Sequence, residues 1–141
     1  MTSVYPFKGV VLMVKTYTGI NIQWPISRLI LSGQKTVETR TYPIPAKFLN
    51  KEMILIETPG KLGRFKSRMC AIIKFTDCFE YDSRESFYED SSRHRVDPNS
   101  PWAYDEAKGK WGWEVEVCRL ISPHGAINKR IGIKYTTNLI L

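Results

Sequence analysis

Residues 24–40 read WPISRLILSGQKTVETR, and this stretch decides the fold. In its first half, Ile26, Leu29 and Ile30 fall at i, i+3 and i+4, which is the spacing of one helical face. Gly33 follows directly and suits the left-handed residue that ends many helices. The first half of the stretch therefore predicts one short helix.

The second half predicts a strand that leaves directly from the helix end. From Thr36 the pattern has a period of two, so Thr36, Glu38, Arg40 and Tyr42 share one face. Lys35 stands at the junction, where its flexible ammonium can reach into a cleft. A cation, a carboxylate and a planar guanidinium at one mouth can bind a base edge, hold a phosphate or transfer a proton. The alternative is an exposed Glu38–Arg40 ion pair worth under ~1 kcal/mol.

Most other segments also have strand character. The predicted strands are residues 10–15, 52–58, 69–75 and 111–121, and a closing strand that includes Ile131, Ile133 and residues 139–141. Residues 83–88 carry a helix start signal, whereas residues 91–101, with two prolines, predict an ordered loop or short turn. Five or six strands with two or three short helices favour an α+β fold, a small mixed β-barrel closed by its last segment, over a doubly wound sheet.

Length and charge narrow the class of protein. The chain of 141 residues has the size of one domain, which we expect to span residues 1–141. Lys and Arg outnumber Asp and Glu by 21 to 14, and a net charge of +7 favours anionic partners such as nucleic acid or nucleotides. The alternative is that this charge serves solubility alone.

The apolar run at residues 9–14 is far shorter than the ~20 residues that span a bilayer. We therefore expect no membrane partner. The expected location is intracellular: cytoplasmic, or nuclear if the protein is eukaryotic.

The cysteines and histidines show no pattern of a metal site. Cys70, Cys78 and Cys118 are far apart and odd in number, which indicates reduced thiols rather than a disulfide framework or a zinc ribbon. Cys70 and Cys118 lie in predicted strands, and we expect both in the core. His94 and His124 lack metal-ligand spacing. The sequence therefore predicts neither a metal nor a cofactor.

Aromatic side chains are candidates to stack on a nucleotide base, which contributes ~1 to 3 kcal/mol per base. Trp24 and Trp102 stand next to prolines in predicted loops and are the stronger cleft candidates, together with Tyr42 on the motif strand. Trp111 and Trp113 alternate on the apolar face of their strand, so we expect them to pack in the core.

A basic loop at residues 61–68 separates two predicted strands. Its cations are Lys61, Arg64, Lys66 and Arg68. They are expected to project from the tip of a hairpin, where they can follow the phosphates of a nucleic acid. The alternative is that the loop is only solvated.

The motif from Gly33 to Arg40, with the spacing Gly-x-Lys-x-x-Glu-x-Arg after a short apolar helix, resembles the signature of the ASCH domain, a relative of the PUA RNA-binding fold. The resemblance continues in the late block WGWEV at residues 111–115, in residues 119–123 and in residues 131–133. It covers most of the chain in the same order. It implies a single ASCH (PUA-like) domain.

The resemblance implies RNA binding first, because ASCH proteins are generally proposed to bind RNA. On this hypothesis the basic loop follows phosphates while the cleft holds one splayed nucleotide or modified base. An open groove continuous with the basic loop would favour a polymer, and a deep closed pocket would favour an enzyme acting on a nucleoside. A third alternative is a protein-interaction domain of a transcriptional coregulator.

The enzyme alternative is an amidohydrolase acting on N-acylated cytidine. Some small ASCH proteins use a Lys and a Thr of this motif with a later Glu, which would make Lys35, Glu38 and Thr36 the catalytic candidates. Here Glu38 occupies the expected Thr position, so the nucleophile is missing unless Thr36 substitutes. Glu85 or Glu89 are the candidates for the later carboxylate.

Overall fold

The computed structural model describes residues 2–7, 10–127 and 134–141. Within these residues the strands are β1 (Thr2–Phe7), β2 (Val10–Gln23), β3 (Val37–Arg40), β4 (Glu52–Thr58), β5 (Ser67–Glu80), β6 (Trp111–Ile127) and β7 (Tyr135–Ile140). The helices are α1 (Ile26–Leu31), α2 (Arg84–Glu89) and α3 (Ser91–His94), with a 3-10 turn at Ala46–Phe48. None of the helices in the described part of the chain has the length and apolar character to cross a membrane.

The strands form one mixed sheet in the order β1-β2-β4-β5-β6-β3, with β7 also beside β2. The pair β2–β4 is parallel, and the other pairs are antiparallel. In the described residues β3 pairs with β6 alone, so the closed barrel that we expected is not confirmed. A side chain links β3 to β2 instead, since Arg40 Nη2 on β3 donates to the carbonyl of Asn21 on β2 at 3.3 Å.

The α+β class and the mixed sheet with three short helices are as predicted, but the strand at residues 2–7 was not expected. Pro6 argues against a central strand, and β1 does lie at the end of the strand order. The predicted strand at residues 10–15 is one end of the longer β2. At the other end of the chain, Leu139 and Ile140 pair with β2 as part of β7, whereas Ile131 and Ile133 lie outside the described residues.

Local signals explain the helices. Gly33 ends α1 with φ +81°, the left-handed conformation predicted for it. Ser83 caps α2 reciprocally with Ser86: its Oγ accepts from the Ser86 N–H at 3.1 Å, and its own N–H donates to the Ser86 Oγ at 3.1 Å. Helix α3 lies in the segment predicted as a loop or short turn, and it has only four residues before Arg95 turns left-handed at φ +60°.

The main core lies between α1 and the inner face of the sheet. Trp113 is completely buried and packs edge-on against Phe75, with ring centroids 5.3 Å apart. Trp111 packs on the same cluster, so both predictions of a packing role are confirmed. Cys70 is buried as expected, but the prediction for Cys118 is wrong because its side chain lies on the uncovered face of β6. Among the described residues the cysteines are free thiols.

Candidate functional site

A cavity of about 410 Å³ opens between the end of β2, helix α1, strand β3 and the segment of residues 95–102. Lys35 and Glu38 line its polar side together with Arg40, while Trp24 and Trp102 supply aromatic surface. Five of the residues selected from the sequence therefore lie around one cavity. Its polar side is made by the helix-to-strand junction, because α1 ends at Leu31 and β3 begins six residues later at Val37.

Lys35, Glu38 and Arg40 form a charged triad. Lys35 Nζ lies 3.6 Å from Glu38 Oε1, and Arg40 Nη2 lies 3.2 Å from Glu38 Oε2. The exposed fractions of the three side chains are 3%, 9% and 18%, which excludes the alternative of an exposed ion pair. Lys35 also donates to the carbonyl of His94 at 2.6 Å, and the Thr39 N–H donates to Glu38 Oε1 at 3.0 Å.

Burial and mutual attraction act in opposite directions on the charges of the triad. Burial lowers the pKa of Lys35, although the charge of Glu38 opposes the shift. Burial alone would raise the pKa of Glu38, but the charges of Arg40 and Lys35 outweigh it and lower that pKa. Glu38 is therefore an ionised, acceptor-only carboxylate at neutral pH, beside a Lys35 ammonium that loses its proton more readily than usual.

The basic loop adjoins the Trp24 end of the cavity. The ring of Trp24 meets Phe65 of this loop edge-on, with centroids 6.3 Å apart, and the Arg68 guanidinium lies 4.2 Å from the centroid of Phe65. The loop joins the antiparallel strands β4 and β5, as the predicted hairpin requires. Its other cations are all exposed: Lys61, Arg64 and Lys66.

Arg68 differs from these cations because it is held by a buried acid. Glu57 is completely buried and accepts from Arg68 Nε at 3.0 Å, from Arg28 Nη2 at 2.9 Å and from Ser27 Oγ at 2.6 Å. Burial works to raise the pKa of Glu57, but these donors outweigh it and lower that pKa. The cluster ties α1 to strands β4 and β5, and sequence reasoning missed it because Glu57 stands in an otherwise apolar run.

Other selected residues do not line the cavity. Tyr42 packs edge-on against Trp113, with centroids 5.6 Å apart. Thr36 is exposed and precedes β3, so it does not share the cavity face of Glu38 as the alternation predicted. Glu85 and Glu89 are exposed on α2 and also lie away from the cavity lining.

The segment after α3 supplies a wall that sequence reasoning missed. Arg95, Val96 and Asp97 line the cavity. His94 anchors this segment: it is completely buried, its Nε2 lies 2.6 Å from the Phe87 carbonyl, and its Nδ1 accepts from the Val96 N–H at 2.9 Å. In the sequence, His94 is followed by a stretch with two prolines, which predicts a turn or loop. This local pattern does not show that the segment contacts residues near position 35.

Metal ligation has no support in the described part of the chain. No group of three or more His, Cys, Asp or Glu side chains there is arranged to hold a metal ion. The cavity lining instead offers hydrogen-bond donors and the carboxylates of Glu38 and Asp97, which suit an organic ligand with a polar edge.

Comparison with known proteins places the fold. Neither protein-family models nor curated proteins match the chain by sequence. Among solved structures, the crystal structure of ASCH from Zymomonas mobilis matches with a TM-score of 0.62 and 16% sequence identity, covering 86% of each chain. This chain therefore has an ASCH-like fold, as the Gly33–Arg40 motif predicted. At this identity the likeness concerns the fold alone.

Proposed function

We propose that this protein binds single-stranded nucleic acid, RNA in particular, and holds one unstacked nucleotide in the cavity beside the charged triad. The observation that carries the proposal is the contact between Trp24 and Phe65, which joins the cavity wall to the basic loop. If one nucleotide lies in the cavity, the nucleotides next to it in the RNA would lie close to the exposed cations of the basic loop. Phosphate contacts of this kind position a nucleic acid, and base contacts in the cavity specify it.

The dimensions and lining of the cavity support this proposal. Its volume of about 410 Å³ falls in the usual range of small-ligand pockets, ~300 to 1,000 Å³. Trp102 is 44% exposed at the cavity, so its ring is available to a ligand. Single-stranded RNA is typically bound in this way, with a splayed base stacked on aromatic rings and hydrogen-bonded along its edge.

Amidohydrolysis of an N-acylated cytidine is the second candidate, and the place of Lys35 in the cavity lining favours it because burial there lowers the pKa of this amine towards the range of a general base. Thr36 is outside the cavity, and the described residues of the lining place no Glu besides Glu38 there. We therefore rank hydrolysis second. Release of acetate from N-acetylcytidine that disappears in Lys35→Ala would reverse the ranking.

Trp102 offers the direct test of the proposed function. We expect Trp102→Ala to weaken binding of a fluorescently labelled single-stranded RNA by ~1 to 3 kcal/mol, about 5-fold to 150-fold, because one stacking surface is lost. Trp102→Phe is the matched control and should keep most of the affinity. Since the side chain is half exposed, both variants should fold. Equal affinity of Trp102→Ala and the wild type would contradict a nucleotide in this cavity.

A further inference from the structure

The charged triad presents its two cations to different oxygens of one carboxylate. Lys35 approaches Glu38 Oε1 and Arg40 approaches Oε2, at 3.6 and 3.2 Å. The carboxylate is therefore flanked by a hydrogen-bond donor on each side. All three residues line the cavity, and we infer that a ligand reaching the triad meets the order donor, acceptor, donor.

The two oxygens of Glu38 are not equally available. Oε1 already accepts from the Thr39 N–H at 3.0 Å and faces the Lys35 ammonium. Among the described residues, Oε2 accepts from Arg40 alone. Because each carboxylate oxygen has about two acceptor sites, Oε2 retains one for a ligand. The carboxylate thus offers a single strong acceptor rather than a bidentate edge.

Both cations retain donors for a ligand. Lys35 carries three N–H groups, and one of them is directed at the His94 carbonyl. Arg40 directs Nη2 at the Asn21 carbonyl and at Glu38, and its guanidinium also interacts with Tyr42; since a guanidinium has five N–H groups, it still retains donors. A ligand with two acceptors separated by one donor would therefore use all three members of the triad.

We propose that the cavity selects uracil, whose O4, N3–H and O2 present the complementary order acceptor, donor, acceptor. In this arrangement N3–H donates to Glu38 Oε2, and the two carbonyl oxygens accept from Lys35 and Arg40. The proposal rests on the nucleic-acid binding proposed above and adds the identity of the preferred base.

The other bases fit the triad less well. Cytosine presents donor, acceptor, acceptor, so it pairs with Glu38 and one cation and leaves the other cation buried without a ligand partner. Guanine presents acceptor, donor, donor and needs two free carboxylate acceptors, whereas Oε1 is already engaged. Adenine offers one donor and one acceptor on this edge. Each of these bases leaves at least one hydrogen-bond donor of the triad without a ligand acceptor in a site that the base closes to water, so each binds more weakly.

The test uses wild-type protein and RNA pentanucleotides of adenosine in which the central base is U, C, G or 3-methyluracil. The all-adenosine pentamer gives the baseline. We expect the U pentamer to bind about tenfold or more tightly than the C and G pentamers, which is the size of one well-paired base contact. The 3-methyluracil pentamer keeps both carbonyls but lacks the N3–H donor, and it should lose this advantage.

A protein variant adds an independent check on the role of the carboxylate. Glu38→Gln should reduce the preference for uracil over 3-methyluracil to within about twofold, because an amide no longer offers a charged acceptor. If this variant does not fold, the comparison of uracil with 3-methyluracil on the wild type still decides. Absence of binding to every pentamer would overturn the proposed function itself. Binding without preference, or with preference for C or G, would leave RNA binding in place and overturn the selection of uracil.

Discussion

Glu38 is the residue on which the charged triad depends, because it is the single carboxylate between two buried cations. Lys35 is 97% buried as a side chain, and Arg40 is 82% buried. Removing one member of a buried ion pair leaves an uncompensated charge in a poorly solvated site. The stability of the junction between α1 and β3 therefore rests on one acidic side chain.

We expect Glu38→Gln to lower the free energy of unfolding by about 3 to 5 kcal/mol at neutral pH, measured by urea titration. The folded pKa of Glu38 is lowered from its ordinary 4.5, so its contribution is present above that value and is lost as the pH falls through the folded pKa. The difference between variant and wild type should therefore shrink in acid. The matched control is Glu52→Gln, which breaks the exposed Lys15–Glu52 pair and should change stability little. Equal losses in the two variants would contradict a structural role for the triad.

Helix α3 and the segment that follows it form the element that completes the cavity. His94 ends this helix and is held as a neutral ring, because Nδ1 accepts from the Val96 N–H and Nε2 faces the Phe87 carbonyl as a donor. It also stacks on Phe87, with ring centroids 4.1 Å apart. Since Lys35 donates to the His94 carbonyl, this short element supports the charged triad directly.

The pH dependence of folding should report on His94. Burial lowers its folded pKa below the ordinary 6.5, so the unfolded chain binds a proton that the folded protein does not, and acidification through this window favours unfolding. We expect the free energy of unfolding to fall as the pH drops through the ordinary 6.5 towards the lower pKa of the folded protein, by at most ~1.4 kcal/mol per pH unit. His94→Gln should remove this dependence. The chain has one other histidine, and its variant His124→Gln should keep the dependence because His124 is exposed. A wild-type profile that is flat in this range would contradict the buried neutral ring.

At the scale of single elements, the sequence predicted features that depend on residues close together in the chain, and it missed features that depend on distant residues. The helix at residues 26–31 and its stop at Gly33 depend on neighbours within one or two turns, and both were predicted. The contact of Lys35 with the His94 carbonyl joins residues 59 positions apart, and nothing in the local pattern of either segment indicates it. The prediction that Thr36 shares the face of Glu38 was wrong because the alternating pattern extends to Thr36, whereas β3 begins only at Val37.

The same distinction holds for the whole molecule. Strand character and the choice of an α+β class come from local periodicity, whereas closure of the sheet depends on how β3 meets β2 across the cavity. These strands are bridged by Arg40 and the Asn21 carbonyl rather than by strand pairing, which leaves room for the cavity. The buried Glu57 is equally hidden in the sequence, because an acid in an apolar strand gains its two arginine partners only through the fold.

The net charge of +7 belongs to the whole molecule, but the proposed function predicts that its effect on RNA is local. Lys and Arg side chains that neutralise phosphates release counterions, and each phosphate contact on a single strand adds about 0.7 to the salt slope of the logarithm of the binding constant. The exposed Arg64 and Lys66 lie in the basic loop beside Phe65, so they are expected to make such contacts. Charge elsewhere on the surface should contribute far less, because it lies beyond the reach of the bound strand.

We therefore expect Arg64→Ala/Lys66→Ala to flatten the slope by roughly 1 to 1.5 units for single-stranded RNA, measured by titrating labelled RNA at several salt concentrations. The matched control is Lys47→Ala/Lys51→Ala, which removes the same charge from exposed positions just before β4, at the end of that strand opposite the basic loop. Both double variants lower the formal net charge from +7 to +5, so a general attraction would change the two slopes equally. A flatter slope in the loop variant alone would assign the phosphate contacts to the basic loop. If both variants have the slope of the wild type, the basic loop has no role in RNA binding, and its positive charge serves solubility only.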